Sequence, residues 1–164
     1  TAGDEMDEAM VNYFRLKYNV LIGERTAEDI KINLGNAHPS AFKSEERFMV
    51  VRGRDLESGL PKSLRITGSE VREALMPVLR EITTAVTDLI EETPPELVAD
   101  ILERGISMAG GGAMIAGIDK LVSEETRMPV YVVDDPMTAV VRGCGRVLDD
   151  IKLLQKVKVV GGLR

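Results

Sequence analysis

The stretch Ile106-Ser-Met-Ala-Gly-Gly-Gly-Ala-Met-Ile-Ala-Gly-Ile-Asp-Lys-Leu121 constrains the fold more than any other part of the chain. A short apolar run stops at three consecutive glycines and gives way to an apolar pattern at helical spacing, which predicts strand, glycine turn, helix. Glycine has no Cβ, so the backbone there can adopt left-handed or mirror-extended conformations, and a flat ligand can lie against the main chain. The helix beyond would offer unpaired N–H groups and a partial positive charge, which suit a phosphate or the polar edge of a heterocycle. A nucleotide fits that description. So does a dry strand-to-helix turn. Gly110-Gly111-Gly112 is neither Gly-x-x-x-x-Gly-Lys-Ser/Thr nor Gly-x-Gly-x-x-Gly and has no lysine placed for a phosphate, so taken alone the dry turn is the plainer reading.

At 164 residues the chain can build one ordinary domain, or a domain with a small insertion, around a substantial core. A net charge of −6 and a pI near 5.0 argue against a broad nucleic-acid footprint, which needs clustered Lys and Arg. No apolar run approaches the ~20 residues that span a bilayer, and no secretory signal pattern is present. A single cysteine, Cys144, cannot close an internal disulfide, which makes a reducing cytoplasm the natural compartment. The chain starts at Thr1-Ala-Gly-Asp4 and moves straight into a helical pattern, so we expect it to be part of something longer.

Met6, Ala9, Met10, Tyr13, Phe14 and Lys17 recur at helical spacing, predicting a helix over 4–18 with Asp4 as N-cap and Glu5, Asp7 and Glu8 favouring its first turn. Thr26-Ala-Glu-Asp29 resembles a capping box, and Ala27, Ile30 and Leu34 mark one face of a short helix closing at Gly35. Glu28 and Lys31 share a surface of that helix, and spacing alone makes them an i, i+3 salt bridge. Asn36 to Glu45 reads as loop, with His38 a surface histidine. Phe48–Arg54 and Leu64–Thr67 read as strands of a hairpin made basic by Arg52, Arg54, Lys62 and Arg65.

Val71, Ala74, Leu75, Val78, Leu79, Ile82, Val86, Leu89 and Ile90 form the longest helical pattern, opening after Ser69, with Pro77 predicting a kink or a break. Pro94-Pro95 starts a further helix to Arg104. Ile118, Leu121 and Val122 are the inner face of the helix beyond the glycines, and Val130–Val133 reads as a short buried strand. Met137, Val140, Val141, Cys144, Val147 and Leu148 recur at helical spacing, which makes Cys144 a small core residue. The tail from Ile151 is expected to fray. Alternating strand and helix in the last third indicate an α/β fold with helices on a sheet, interrupted by an inserted hairpin unit over roughly 36–68.

Six blocks in order, Ala2-Gly-Asp-Glu-Met-Asp-Glu-Ala9, Leu21-Ile-Gly-Glu-Arg-Thr-Ala-Glu-Asp-Ile-Lys31, Val51-Arg-Gly-Arg54, Pro94-Pro-Glu-Leu97, Gly110-Gly-Gly-Ala113 and Asp135-Pro-Met-Thr138 with Arg142-Gly143, resemble the MreB/Mbl family of bacterial actin-like cell-shape proteins over nearly the whole chain. The resemblance implies an α/β fold: the second domain of an actin-like ATPase, ribonuclease-H-like over 1–22 and 69–150, with a smaller α+β subdomain inserted over 23–68 and a tail over 151–164. It implies that Glu28, Asp29, Ile30 and Lys31 line the base and ribose of ATP. Gly111, Gly112, Ala113 and Met114 would face the nucleotide from the other side, and Gly3 would approach the ribose. It inverts the reading of both motifs, making the salt bridge and the dry turn the lesser alternatives. The family's phosphate-binding hairpins, its Mg²⁺-placing groups and its membrane-inserting segment belong to sequence preceding Thr1, so this chain is expected to coordinate no Mg²⁺, to hold adenosine weakly and to hydrolyse nothing. The implied whole is a filament protein at the inner face of the cell membrane, organising wall synthesis and so setting rod shape, with other protomers and wall-synthesis membrane proteins as partners and no nucleic acid. The alternatives from other classes are half of a sugar kinase or heat-shock-chaperone ATPase, or an interaction domain without a ligand.

Overall fold

The computed structural model describes residues 3–41 and 47–150. In chain order these build α1 (Gly3–Tyr18), β1 (Val20–Leu21), α2 (Glu24–Leu34), β2 (Phe48–Asp55), β3 (Pro61–Thr67), α3 (Gly68–Glu91), α4 (Pro95–Arg104), β4 (Ile106–Met108), α5 (Ile118–Thr126), β5 (Val130–Val132) and α6 (Ala139–Asp149), with short 3₁₀ turns at Pro39–Ala41 and Gly111–Met114.

The apolar positions of α1 predict its packing. Met6, Met10 and Phe14 lie four residues apart, stack on one face and are fully buried. They meet Ala27, Ile30 and Leu34 of α2, and Val71, Ala74, Leu75, Val78 and Leu79 of α3. Val51 and Ile66 enter the same cluster from one face of an antiparallel sheet ordered β1-β2-β3, in register Val20↔Asp55 and Val51↔Leu64. Ile118 and Val122 of α5 close it from the α3 side. The core therefore draws on side chains from both sides of residue 23. Gly53 sits where a Cβ would come within 2.4 Å of Val20 Cγ1, so the β1–β2 contact depends on that glycine.

Several expectations are corrected. The first helix begins at Gly3, leaving Asp4 inside its first turn instead of at the cap. Thr26 lies within α2, whose N-cap is Gly23 with no side-chain bond; the capping box belongs to α3, where Thr67 and Glu70 exchange hydrogen bonds. Helix α3 runs unbroken through Pro77. That proline removes one N–H and leaves the Glu73 carbonyl without its i+4 donor. The heptad-like face on either side, packed on α1 and α5, carries the helix across.

The glycine triplet does not open directly onto an α-helix. Gly110 (φ +86°) leads into the 3₁₀ turn, and α5 starts only after Gly117, also left-handed at φ +79°. Strands β4 and β5 pair in parallel, Ile106↔Val130 to Met108↔Val132, and β5 is largely exposed where a buried strand was expected. Helix α6 forms as predicted but buries none of its residues, and Cys144 is exposed instead of sitting in the core. The physical reason is that, among the described residues, β5 packs on α5 through Val130 but Tyr131 and Val132 stay exposed, and the apolar side of α6 is left open. The expected loop over 36–45 is described up to Ala41; positions 42–46 and the tail from Ile151 lie outside the described residues, as do Thr1 and Ala2.

Candidate functional site

Helix α2 carries four of the nine candidate residues. Its inner face is apolar, so Ile30 is fully buried in the core and offers no surface to a ligand; its part is to seat the helix. Glu28 and Asp29 are exposed on the opposite side. Lys31 turns away from Glu28. Its ammonium reaches across to α1, 2.8 Å from Asp7 Oδ2 and 3.1 Å from the Gly3 carbonyl oxygen, with both charged side chains mostly enclosed. The i, i+3 pair with Glu28 is therefore replaced by a long-range pair with Asp7, and Gly3 and Lys31 are in direct contact.

On the other side, Gly111, Gly112 and Met114 are exposed while Ala113 is buried, so the 3₁₀ turn is pinned by one methyl and presents backbone to solvent. A Cβ built on Gly112 would meet nothing within 4 Å. That open approach to main chain fits a flat ligand edge. The turn is fixed by Gly110 N–H donating to the Pro136 carbonyl at 2.8 Å.

One residue ties the two segments together. Asn36 follows α2 by two positions, forms a parallel bridge with Ala116, and is completely buried. Its Nδ2 donates to the Leu34 carbonyl at 3.0 Å and the Gly68 carbonyl at 2.8 Å, and its Oδ1 accepts from Arg72 at 2.8 Å. Ala37 N–H donates to the Ala116 carbonyl at 2.9 Å. The exit of α2 is thus stitched to the exit of the glycine turn. His38, expected as a plain surface histidine, packs over Gly117, with Nε2 3.1 Å from Glu124, and Lys120 donates to Ser40 at 2.9 Å. Local sequence carries no signal for Asn36 or Asp7: Asn36 looks like ordinary loop, and Asp7 is one of three acidic residues near the start of a helix.

Beside Asp7 an open groove of about 600 Å³ is lined by Asp4, Glu5, Asp7, Glu8, Val11 and Glu24. Such a wall repels polyphosphate and favours donors such as hydroxyls. No cluster of His, Cys, Asp or Glu able to hold a metal ion occurs among the described residues. Further along α1, Tyr13 and Lys17 bind Glu73, and Tyr18 and Lys17 bind Glu70, clamping α1 to α3. Burial, aided by the bond to Glu73, pushes the Tyr13 phenol up to about 12. Burial alone would raise Glu70, but hydrogen bonds from Tyr18, Thr67 and Lys17 outweigh it and hold the carboxyl at about 2.

Comparison with solved structures places this architecture. MreB5 of Spiroplasma citri bound to ADP superposes with a TM-score of 0.87 at 37% identity, covering 96% of this chain and 47% of that one. The same protein bound to AMPPNP gives 0.87 and 37%, over 94% and 46%. A MamK double helical filament matches in fold, at TM-score 0.74 and 24% identity over 92% of this chain and 45% of that one. The fold is that of an actin-like ATPase domain. The sequence narrows this further. The profile of the MreB/Mbl protein family matches residues 1–156, and the chain belongs to that family. Cell shape-determining protein Mbl of Bacillus subtilis is 44% identical over 158 residues, 96% of this chain and 46% of the relative. Cell shape-determining protein MreB of Escherichia coli K12 is 46% identical over 151 residues, 92% of this chain and 43% of the relative. The chain spans somewhat less than half the length of these relatives.

Proposed function

We propose that this chain is the nucleotide-holding second half of an ATP-binding, filament-forming bacterial cytoskeletal protein that helps determine cell shape. In this reading residues 1–22 and 69–150 form the larger subdomain and 23–68 the inserted smaller one. Adenosine sits between α2, at Glu28, Asp29 and Lys31, and the exposed backbone of Gly111, Gly112 and Met114, with Gly3 toward the sugar. Phosphates and Mg²⁺ are held by the other half, and closure of the two halves around ATP favours polymerisation at the inner face of the membrane.

The observation that carries the reading is the Asn36–Ala116 bridge, which brings together two segments some eighty positions apart whose counterparts belong to one relative solved both with ADP and with AMPPNP. Gly112 supplies the test. Its absent Cβ has free space around it, so Gly112→Val leaves the fold intact and intrudes on a ligand lying against the turn. Calorimetric titration with ATP is done on this chain and on a chimera in which it replaces the matching segment of Escherichia coli MreB. Gly112→Val and Glu28→Ala are expected to weaken binding at least several-fold with unchanged melting temperature. Equal affinity in wild type and both variants, or no saturable binding in either protein, overturns the reading. ATP-dependent sedimentation of the chimera tests filament formation, and phosphorylation of a small-molecule acceptor in its place would favour a kinase.

A further inference from the structure

We infer that Asp7, which none of the recognised motifs assigns to the ligand, is a positioning residue for the sugar of the bound nucleoside, acting through Lys31. The inference rests on the nucleotide reading above and goes beyond it.

An ammonium has three N–H donors. Two of those on Lys31 are committed, one to Asp7 Oδ2 at 2.8 Å and one to the Gly3 carbonyl oxygen at 3.1 Å, which leaves one for a ligand. Lysine is a flexible four-carbon stem, and on a helix surface its ammonium samples many positions. Here it is held at the junction of α1 and α2 with 15% of its side chain exposed. The second donor goes to a main-chain carbonyl, and a Cβ built on Gly3 would stand 3.4 Å from Lys31 Nζ, so the ammonium lies directly against the backbone there. The remaining donor is therefore presented from a fixed point, beside a groove whose carboxylates accept hydrogen bonds and repel phosphate. A sugar hydroxyl, which both donates and accepts, is the ligand group this surroundings suits.

As a stability device the pair is poorly finished. Asp7 Oδ1 is buried and has no hydrogen-bond partner among the described residues, although buried polar atoms are nearly always paired. Exchange of both side chains for apolar ones of similar size is a route often open to such pairs. A carboxylate kept with one oxygen unsatisfied is explained by what its other oxygen holds in place.

The experiment measures Kd for ATP and 2′-deoxy-ATP, together with melting temperature, in wild type, Asp7→Ala, Asp7→Asn, Lys31→Ala and the Asp7→Ala/Lys31→Ala double variant, in the chain and in the chimera. Loss of one oriented hydrogen bond corresponds to about tenfold in Kd. Asp7→Ala is expected to weaken ATP by about that factor and to bring the ATP/2′-deoxy-ATP ratio close to one. Asp7→Asn keeps an acceptor for the ammonium and should fall between. In the Lys31→Ala background the Asp7→Ala change should add nothing, because its effect passes through Lys31. A merely structural Asp7 would lower melting temperature and add its effect on Kd in either background. Unchanged affinity and ratio in Asp7→Ala, or additive effects in the double variant, overturn the inference while leaving nucleotide binding standing. Absence of nucleotide binding by wild type removes both.

Discussion

Asn36→Ala should be among the most damaging single changes to this fold that leave the apolar core untouched. The side chain makes three hydrogen bonds from a fully buried position. The Leu34 carbonyl lies in the last turn of α2, where no intrahelical donor is available, so loss of Nδ2 leaves it unsatisfied, at a cost of about 1–3 kcal/mol. Gly68 opens α3, and its carbonyl is also placed to accept an intrahelical bond from four residues on, so its loss is smaller, about 1 kcal/mol. Arg72 is half-buried and can turn to water, which limits that contribution to well under 1 kcal/mol. The sum is about 3 kcal/mol. With a urea slope of about 2 kcal/mol per M, the unfolding midpoint should fall by about 1.5 M. Asn36→Asp keeps an acceptor for Arg72 but sets a carboxylate against two carbonyl oxygens, and it should be at least as damaging. Urea titration followed by far-UV circular dichroism measures this, with the exposed Thr84→Ala as control. A midpoint within ~0.25 M of the control would mean that the bridge between α2 and the glycine turn is held by backbone alone, and the reasoning would fail.

Two further predictions concern α3. Pro77→Ala restores the donor for the Glu73 carbonyl in an unbroken helix, and after allowing for the looser unfolded chain should stabilise by about 1–2 kcal/mol, raising Tm by several degrees. A lower Tm would show that the proline ring is needed where it packs. Glu70 titrates at about 2 in the folded protein, below its ordinary value of 4.5, so its contribution is fully present above pH 4.5 and disappears as pH falls toward 2. Stability measured at intervals across that window should decline in wild type and be flatter in Glu70→Gln, which should also be the less stable of the two at pH 7; parallel curves would contradict the assignment.

Periodicity carried most of the element boundaries. Met6, Met10 and Phe14 and the β2–β3 hairpin were legible because each buried face repeats at 3.6 or 2 residues, and the strand at Ile106 because a short apolar run stops at the glycines. Turn chemistry was less legible. Thr26-Ala-Glu-Asp29 and Thr67-Gly-Ser-Glu70 both carry a capping pattern, and only the second lies where a strand ends and a helix begins. Cys144 and Val140 lie on an apolar stripe that sequence correctly makes amphipathic, yet burial depends on what packs against the stripe, and no described element does.

The candidate site divides in the same way. Sequence alone determined that Gly110-Gly111-Gly112 turns the chain with accessible backbone and that Glu28, Asp29 and Lys31 share one short helix, because both follow from residues a few positions apart. Only tertiary structure decided that Lys31 leaves Glu28 for Asp7, that Ile30 is enclosed, and that Asn36 joins the helix to Ala116. Those pairings span 24 positions between Asp7 and Lys31 and many more between Asn36 and Ala116. A side chain's local spacing limits which neighbours are possible, whereas the choice among distant partners is made by the packing of whole helices on a shared core.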